Sequence, residues 1–453
     1  MHRVVFETMG CRLNQAETAV LQSRFLEKGY ALADDPADAD LFVLHTCTLT
    51  TQATRQCRRR LRQVMRKNPT ACIAAIGCHA QTDAGELAQL EGVDYVVGTA
   101  DKMRLAEIIP TPARQAEPVV LVGRMTPDAF AIDGAGCYPH HTRAHLKIQE
   151  GCDFVCAFCI IPRSRGRARS RSFGDLVREA RTLAGFGHRE IVLTGVNIGT
   201  YIEGGRTLVD VIDALERIDG VERIRISSIE PTTIDAGVLD RMARGSKLCP
   251  YLHVPLQSGD DRTLGAMRRR YDSQSYRRFL RDAMDRVPGI TFGTDVMVGF
   301  PGEDETAFER SCEVIREFPF VNVHVFGFSA RPRTSAFGMA GTVPAREIQR
   351  RHDHLQRVAQ AQVAASYQSM VGRTLRVLCE RPASDGTRSG FSDEYVRVRI
   401  PGGDAVANEM VRVQIREIEI SQKGGRVAAF GYIVEERETW RGQHEESVCV
   451  DRS

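Results

Sequence analysis

Residues Leu146 to Arg171 read LKIQEGCDFVCAFCIIPRSRGRARSR. Three cysteines, Cys152, Cys156 and Cys159, stand there in a C-x3-C-x2-C pattern, directly after a short strand of alternating apolar residues and on a loop introduced by Gly151. Three thiolates grip one cuboidal four-iron cluster and leave one iron open, which suits a cluster that binds a small molecule as well as passing electrons. A structural zinc site is the competing reading. Structural zinc takes four protein ligands, typically in paired C-x2-4-C units, and no second pair lies nearby.

The 453 residues are too many for one ordinary domain, and about three is the prior from length. Lys and Arg total 61 against 58 Asp and Glu, so the balance of charge identifies no partner. Its distribution does more, because arginines gather at Arg55, Arg58, Arg59, Arg60 and Arg62 and again at Arg163, Arg165, Arg167, Arg169 and Arg171. Thirteen cysteines are a low share of so long a chain, and neither a secretory signal nor a long apolar run is present. The expectation is a cytoplasmic protein with reduced thiols and no membrane partner.

From His2 to Ile109 the strands RVVFETMG, DLFVLHT, ACIAAIG and YVVG alternate with helices near residues 14–28, 52–66 and 84–90. This βαβ order predicts a parallel sheet with ligands at the carboxyl ends of its strands. Cys11, Cys47 and Cys78 close the first three strands, so the topology would bring them to one edge. Two readings stand side by side: a second three-thiolate cluster site, or small buried residues at strand ends, as Cys57 and Cys72 are read. Residues 111–137 lose periodicity and carry prolines at Pro112, Pro118 and Pro127, marking a linker in which Cys137 is a free thiol. Pro139 follows just beyond.

Over residues 138–370 the alternation resumes. LKIQ, EIVLTGVN, RIRISSIE, YLHVPLQ, ITFGTDVMVGF and VNVHVFGFSA give six βα units, which predicts an open, three-quarter barrel with its site at the strand carboxyl ends. Gly195, Ser228, Glu230, Gln257 and Asp295 fall at or near those ends. Gly195 would admit a ligand amine close to the backbone, and Ser228 and Glu230 would bond hydroxyls or an ammonium group. Each is equally a turn or capping residue, as Asp260 is read. Across 371–437 the period changes to two in TLRVLCE, YVRVRI, MVRVQIREIEI and RVAAFGYIV, predicting a small antiparallel barrel with Arg397, Arg412 and Arg416 available to phosphates. Residues 438–453, with Trp440, read as a loose tail.

The cysteine loop, with Phe158 before its last cysteine, resembles the cluster loop of the radical S-adenosylmethionine enzymes. CIIPRSRGRARSR narrows the resemblance to the methylthiotransferases, in which a run close to C-x-I-P-x-x-R-G-x-x-x-S-R follows the third cysteine. FETMGCRLNQAET, VLHTCTLTTQA and AIGCHAQ are similar to the amino-terminal domain of that family, and the terminal barrel resembles its RNA-binding TRAM domain. His45 departs from the pattern, standing where most relatives have asparagine.

The resemblance implies two [4Fe-4S] clusters, a radical one on Cys152, Cys156 and Cys159 and a sulfur-donating one on Cys11, Cys47 and Cys78. It places S-adenosyl-L-methionine against Gly195, Ser228, Glu230, Gln257 and Asp295, and it implies radical insertion of a methylthio group. A tRNA anticodon loop, an electron-donor protein and a sulfur source are the implied partners. GCRLNQAE and the cysteine loop are similar to the branch acting on N6-threonylcarbamoyladenosine at position 37 of tRNA. Other branches act on isopentenyladenosine or on a ribosomal-protein aspartate. In the first reading Arg163, Arg165, Arg167, Arg169 and Arg171 hold loop phosphates or the threonyl carboxylate; the plain alternative is a solvated basic face. A non-catalytic iron-sulfur sensor that binds RNA is the rival from another class.

Overall fold

In the amino-terminal sheet, Leu41–Thr46 (β3) and Cys72–Gly77 (β4) are buried at every position. Central strands covered on both faces carry continuous rather than alternating apolar runs, and LFVLHT and CIAAIG do so. They lie beside Arg3–Thr8 (β1), Ala31–Leu32 (β2), Tyr95–Val97 (β5) and Val119–Leu121 (β6) in the order β2-β1-β3-β4-β5-β6, with every pairing parallel. In this computed structural model the described residues are all except 127, 133, 137, 139–141, 381, 383–386, 402–406, 422–424 and 436–453. Cys137, Pro127, Pro139 and Trp440 therefore lie outside them.

β6 corrects the expected linker. The segment is proline-bounded and too short to show periodicity, yet it completes the sheet by pairing Val119–Leu121 with β5. The helices of this half are Arg12–Glu27 (α1), Thr51–Lys67 (α2), Cys78–Thr82 (α3), Ala84–Ala88 (α4) and Leu105–Ile108 (α5). α1 is sandwiched: Leu21 and Phe25 join the core of the sheet, while Ala19 joins that of the next domain. α2 begins at Thr50, whose hydroxyl accepts from Ala53 N at 3.1 Å, and turns Cys57, Leu61 and Val64 inward.

The second domain is the three-quarter barrel. Arg143–Lys147 (β7) is followed by the short pair Gln149–Glu150 (β8) and Arg169–Ser170 (β9), and then by Glu190–Thr194 (β10). A small hairpin, Ile202–Glu203 (β11) and Arg206–Thr207 (β12), precedes Arg223–Ile226 (β13), Tyr251–His253 (β14), Thr291–Val298 (β15) and Phe320–Gly327 (β16). β7-β10-β13 and β14-β15-β16 are parallel sheets joined by a bridge between Ile224 and Leu248. The arc thus has six strands and stays open between β7 and β16. Around it run Ile161–Arg165 (α6), Phe173–Gly185 (α7), Leu208–Glu216 (α8), Ala236–Ala243 (α9), Asp261–Ala266 (α10), Ser273–Arg286 (α11), Glu305–Glu317 (α12) and the long Ala345–Gln368 (α13).

Thr374–Cys379 (β17), Arg388–Ser392 (β18), Arg397–Ile400 (β19), Met410–Ile420 (β20) and Val427–Glu435 (β21) close a small barrel in the order β17-β18-β19-β21-β20. Its pairings are antiparallel except β19 with β21, the parallel contact that closes it. This barrel plugs the amino-terminal end of the large one. Arg223 and Arg225, fully buried, share Glu190 and donate to the carbonyls of Phe391, Ser392 and Asp393 at 2.9–3.0 Å. Tyr395 stacks on Tyr251 with centroids 4.5 Å apart.

Candidate active site

β1, β3 and β4 are neighbours in the amino-terminal sheet, and the residues just past their carboxyl ends are Cys11, Cys47 and Cys78. Gly10 permits the approach. Its φ is +94°, and a Cβ there would lie 2.7 Å from Cys47 Sγ. Burial, with a smaller push from the charges of Cys11 and Cys78, raises the Cys47 thiol to about 12. A buried thiol that resists ionisation alone is a donor that a cationic metal core relieves. Cys57 and Cys72 are buried on α2 and β4, but Cys47 and Cys78 are buried as well, so burial alone does not separate the two sets.

The loop triplet follows the first barrel strand. Gly151 has φ +71°, and a Cβ there would lie 2.0 Å from Arg167 O, so only glycine lets the outgoing and returning chains pass. Cys152 N donates to Gly166 O at 3.1 Å, Ala157 N to Met267 O at 2.9 Å, and Ala336 N to Ala157 O at 2.7 Å, pinning the loop to three parts of the domain. Burial pushes Cys159 up to about 12 and Cys152 to about 11. Arg269 Nη1 donates to Cys156 Sγ at 3.2 Å, and its Nη2 pairs with Glu230. Among the described residues neither triplet has its three sulfurs within 4.8 Å of one another. The sulfurs of a tetrahedral zinc site are about 3.8 Å apart, so neither set is arranged around a single ion.

Between the triplets lies a buried ion network. Glu17 and Glu150 face Lys102, Lys147, Arg165 and Arg169. Lys147 Nζ donates to Glu17 at 2.6 Å and to Glu150 at 2.7 Å. Burial alone would raise Glu17, but Arg165, Lys102 and Lys147 hold its carboxyl well below the usual range. Four cations against two carboxylates leave positive charge beside Cys11 and Cys78, which complements an anionic cluster held by thiolates. His45 fits into the same network: its Nδ1 lies 2.9 Å from Thr18 Oγ1, and burial keeps the ring neutral.

This network corrects the expected RNA track. Arg165 and Arg171 are fully buried, and Arg171 is spent on Asp175, Glu179 and the carbonyls of Lys147 and Ile132. Arg169 is 11% exposed and pairs with Glu150. A guanidinium already engaged by buried carboxylates cannot turn to a phosphate without stranding them. Only Arg163 and Arg167 of the five are exposed, and Arg167 is paired with Asp153. In the small barrel, Arg397 pairs with Glu380 at 2.9 Å, and Arg412 and Arg416 are exposed on β20.

The expected donor-pocket residues divide. Glu230 reaches the cysteine loop through Arg269. Gln257 bridges to Val296, and its buried Oε1 has no partner, leaving an acceptor for a bound group. Ser228 is half-buried just past β13. Gly195 is required by packing, because a Cβ would meet Ile198 Cγ2 at 2.6 Å and Gln149 at 3.0 Å. Asp295 has both carboxylate oxygens engaged, by His253 Nε2 at 3.1 Å and His324 Nδ1 at 3.0 Å. Asp260 caps α10, accepting from Thr263 N at 2.8 Å, as the plain reading has it. Arg269, Lys102 and Glu17 escaped the sequence reading; the visible signal was charge inside otherwise apolar stretches, as at Lys147 in LKIQE.

Residues 3–98 match the family described as "Uncharacterized protein family UPF0004", and residues 146–315 match the "Radical SAM superfamily". The threonylcarbamoyladenosine tRNA methylthiotransferase MtaB of Bacillus subtilis (strain 168) is 34% identical over 92% of this chain and 94% of its own length. The tRNA-2-methylthio-N(6)-dimethylallyladenosine synthase of Cereibacter sphaeroides (strain ATCC 17023) is 34% identical over 91% of this chain and 95% of its own. Among solved structures, the radical S-adenosylmethionine methyltransferase TsrM of Kitasatospora setae aligns with a TM-score of 0.57 at 14% identity, covering 74% of this chain and 75% of that one, which shows the fold alone.

Proposed function

The chain belongs to the radical S-adenosylmethionine methylthiotransferase family, and on that premise we propose that it converts N6-threonylcarbamoyladenosine beside the tRNA anticodon to its 2-methylthio derivative. Membership brings a [4Fe-4S] cluster and S-adenosyl-L-methionine. The observation that carries the reading is the meeting of two cysteine triplets across one buried ion network, with Arg165 on the helix that follows Cys159 and Glu17 on the helix that follows Cys11.

We assign the radical cluster to Cys152, Cys156 and Cys159 and a second cluster to Cys11, Cys47 and Cys78. When bound, these groups supply a carbon radical able to act on an unactivated aromatic position, and the sulfur to be inserted. The protein's residues orient and shield. Arg269 fixes the Cys156 side of the loop and is itself aimed by Glu230. The unpartnered Gln257 Oε1 offers an acceptor to the methyl donor. The ion network holds the helices that follow the two triplets in one frame.

Charge at the rim supports the choice of base. Arg163, Arg167, Arg268 and Arg270 are exposed around the cysteine loop, and Arg270 lies 3.9 Å over the Phe154 ring. A threonyl carboxylate pairs with a guanidinium, whereas an isopentenyl group gains nothing there. A base in an anticodon loop is already unpaired, and the small barrel exposes Arg416 on β20 to the flanking RNA. An electron-donor protein and a sulfur source complete the requirements. Mass spectrometry of tRNA nucleosides from a deletion strain is the test: loss of 2-methylthio-N6-threonylcarbamoyladenosine is expected, and loss of the isopentenyl product instead overturns the assignment.

A further inference from the structure

Helix α2 of the amino-terminal domain is dense in arginine. On α2, Arg58 is paired with Glu86 and Arg60 with Glu7. Arg55, Arg59, Arg62 and Arg66 are exposed, and among the described residues no hydrogen bond or ion pair engages them. At 100° per residue these four fall within about 60° of one another and run about 16 Å along the helix. Cys57, Leu61 and Val64 occupy the opposite, buried face. Like charges at i,i+4 destabilise a helix, so a stripe of four without a counter-carboxylate is suited to an anion from outside.

The position of the stripe identifies that anion. α2 starts just past Cys47, and its first turn is fixed to the segment that leaves β16: Thr51 Oγ1 lies 2.8 Å from Ser329 Oγ, and Arg331 Nη1 donates to Thr54 Oγ1 at 3.0 Å. The stripe therefore begins at the rim of the barrel's carboxyl end, beside the amino-terminal triplet, and leads outward. Four guanidinium forks in one line match a linear array of phosphates. We propose that Arg55, Arg59, Arg62 and Arg66 bind the phosphate backbone of the RNA that delivers its base to the site, taking the role the sequence suggested for the now-buried Arg165 and Arg171. This rests on the tRNA reading above.

The experiment uses the full chain with its clusters reconstituted and a labelled, 2-methylthio-free tRNA. Affinity is followed by fluorescence anisotropy across a salt series for the parent and for the fourfold variant Arg55→Ala, Arg59→Ala, Arg62→Ala, Arg66→Ala. Each phosphate neutralised on a single strand contributes about 0.7 to the slope of log affinity against log salt, so the variant's slope should be shallower by about 3. A fourfold rise in salt then weakens the parent about 50-fold more than the variant. The corresponding fourfold Arg→Lys variant keeps the parent slope, and dithionite-driven cleavage of S-adenosylmethionine is unchanged in both. A parent that binds tRNA with the same slope as the alanine variant overturns the proposal alone. Unchanged tRNA binding with loss only of turnover driven by a protein reductant assigns the stripe to an acidic electron donor and equally overturns it. A parent that binds no tRNA overturns the substrate reading, and the stripe with it.

Discussion

Arg165 Nη1 lies 3.1 Å from Glu17 Oε1, both side chains sealed from solvent, at the junction between the amino-terminal sheet and the barrel. Arg165 closes the helix that leaves the loop triplet, and Glu17 sits one and a half turns into the helix that leaves Cys11. The same guanidinium reaches Glu150 at 2.7 Å and Asn14. One side chain thus joins the two halves of the site.

Replacing Arg165 by Met should lower stability by about 3–5 kcal/mol, because two buried carboxylates lose a partner. The salt slope of tRNA binding should stay as in the parent. Denaturant titration measures the first and anisotropy the second; a normally stable variant with a shallower slope would restore Arg165 to the RNA track.

Glu190 holds Arg223 and Arg225 against the small barrel. Burial alone would raise its carboxyl, but the two guanidinium groups keep it well below the usual range. A lowered folded-state value means the stabilisation is present above the unfolded value of about 4.3 and is lost as pH falls below it. Glu190→Gln should therefore cost about 3–5 kcal/mol at neutral pH, with the gap from the parent narrowing below about pH 4. Denaturation curves at pH 7 and pH 3 that differ equally would rule this out.

Arg269 places a charged donor on Cys156 Sγ, and hydrogen bonds to cluster sulfurs raise a reduction potential. Arg269→Gln should shift the loop cluster to a more negative midpoint by about 60 mV or more, the equivalent of a tenfold change in a one-electron equilibrium. EPR-monitored potentiometry reads this directly, and an unmoved midpoint at full iron content refutes it.

Cys156→Ala should abolish reductive cleavage of S-adenosylmethionine, whereas Cys47→Ala should keep cleavage and lose sulfur insertion. Each should retain one of two cluster equivalents of iron, and Cys57→Ser and Cys72→Ser should retain both. Deoxyadenosine formation that survives in both ligand variants would show the roles to be wrongly divided.

Local pattern alone determined much of this protein. The alternation of short apolar strands with amphipathic helices announced two parallel sheets, period-two runs announced the terminal barrel, and C-x3-C-x2-C announced the loop site, because each is written within a few dozen residues. Parallel order also predicts Cys11, Cys47 and Cys78 at one sheet edge, and their strands β1, β3 and β4 are neighbours. What tertiary structure decided is which charges meet. RSRGRARSR has the composition of a solvated face or a phosphate track, yet Arg165 and Arg171 are buried: Arg165 meets Glu17 from the amino-terminal domain, and Arg171 meets Asp175 and Glu179 on the helix that directly follows it. The α2 stripe has the same composition and stays exposed. The fate of Arg165 is set by a carboxylate 148 residues away folding against it, and sequence spacing carries no record of that.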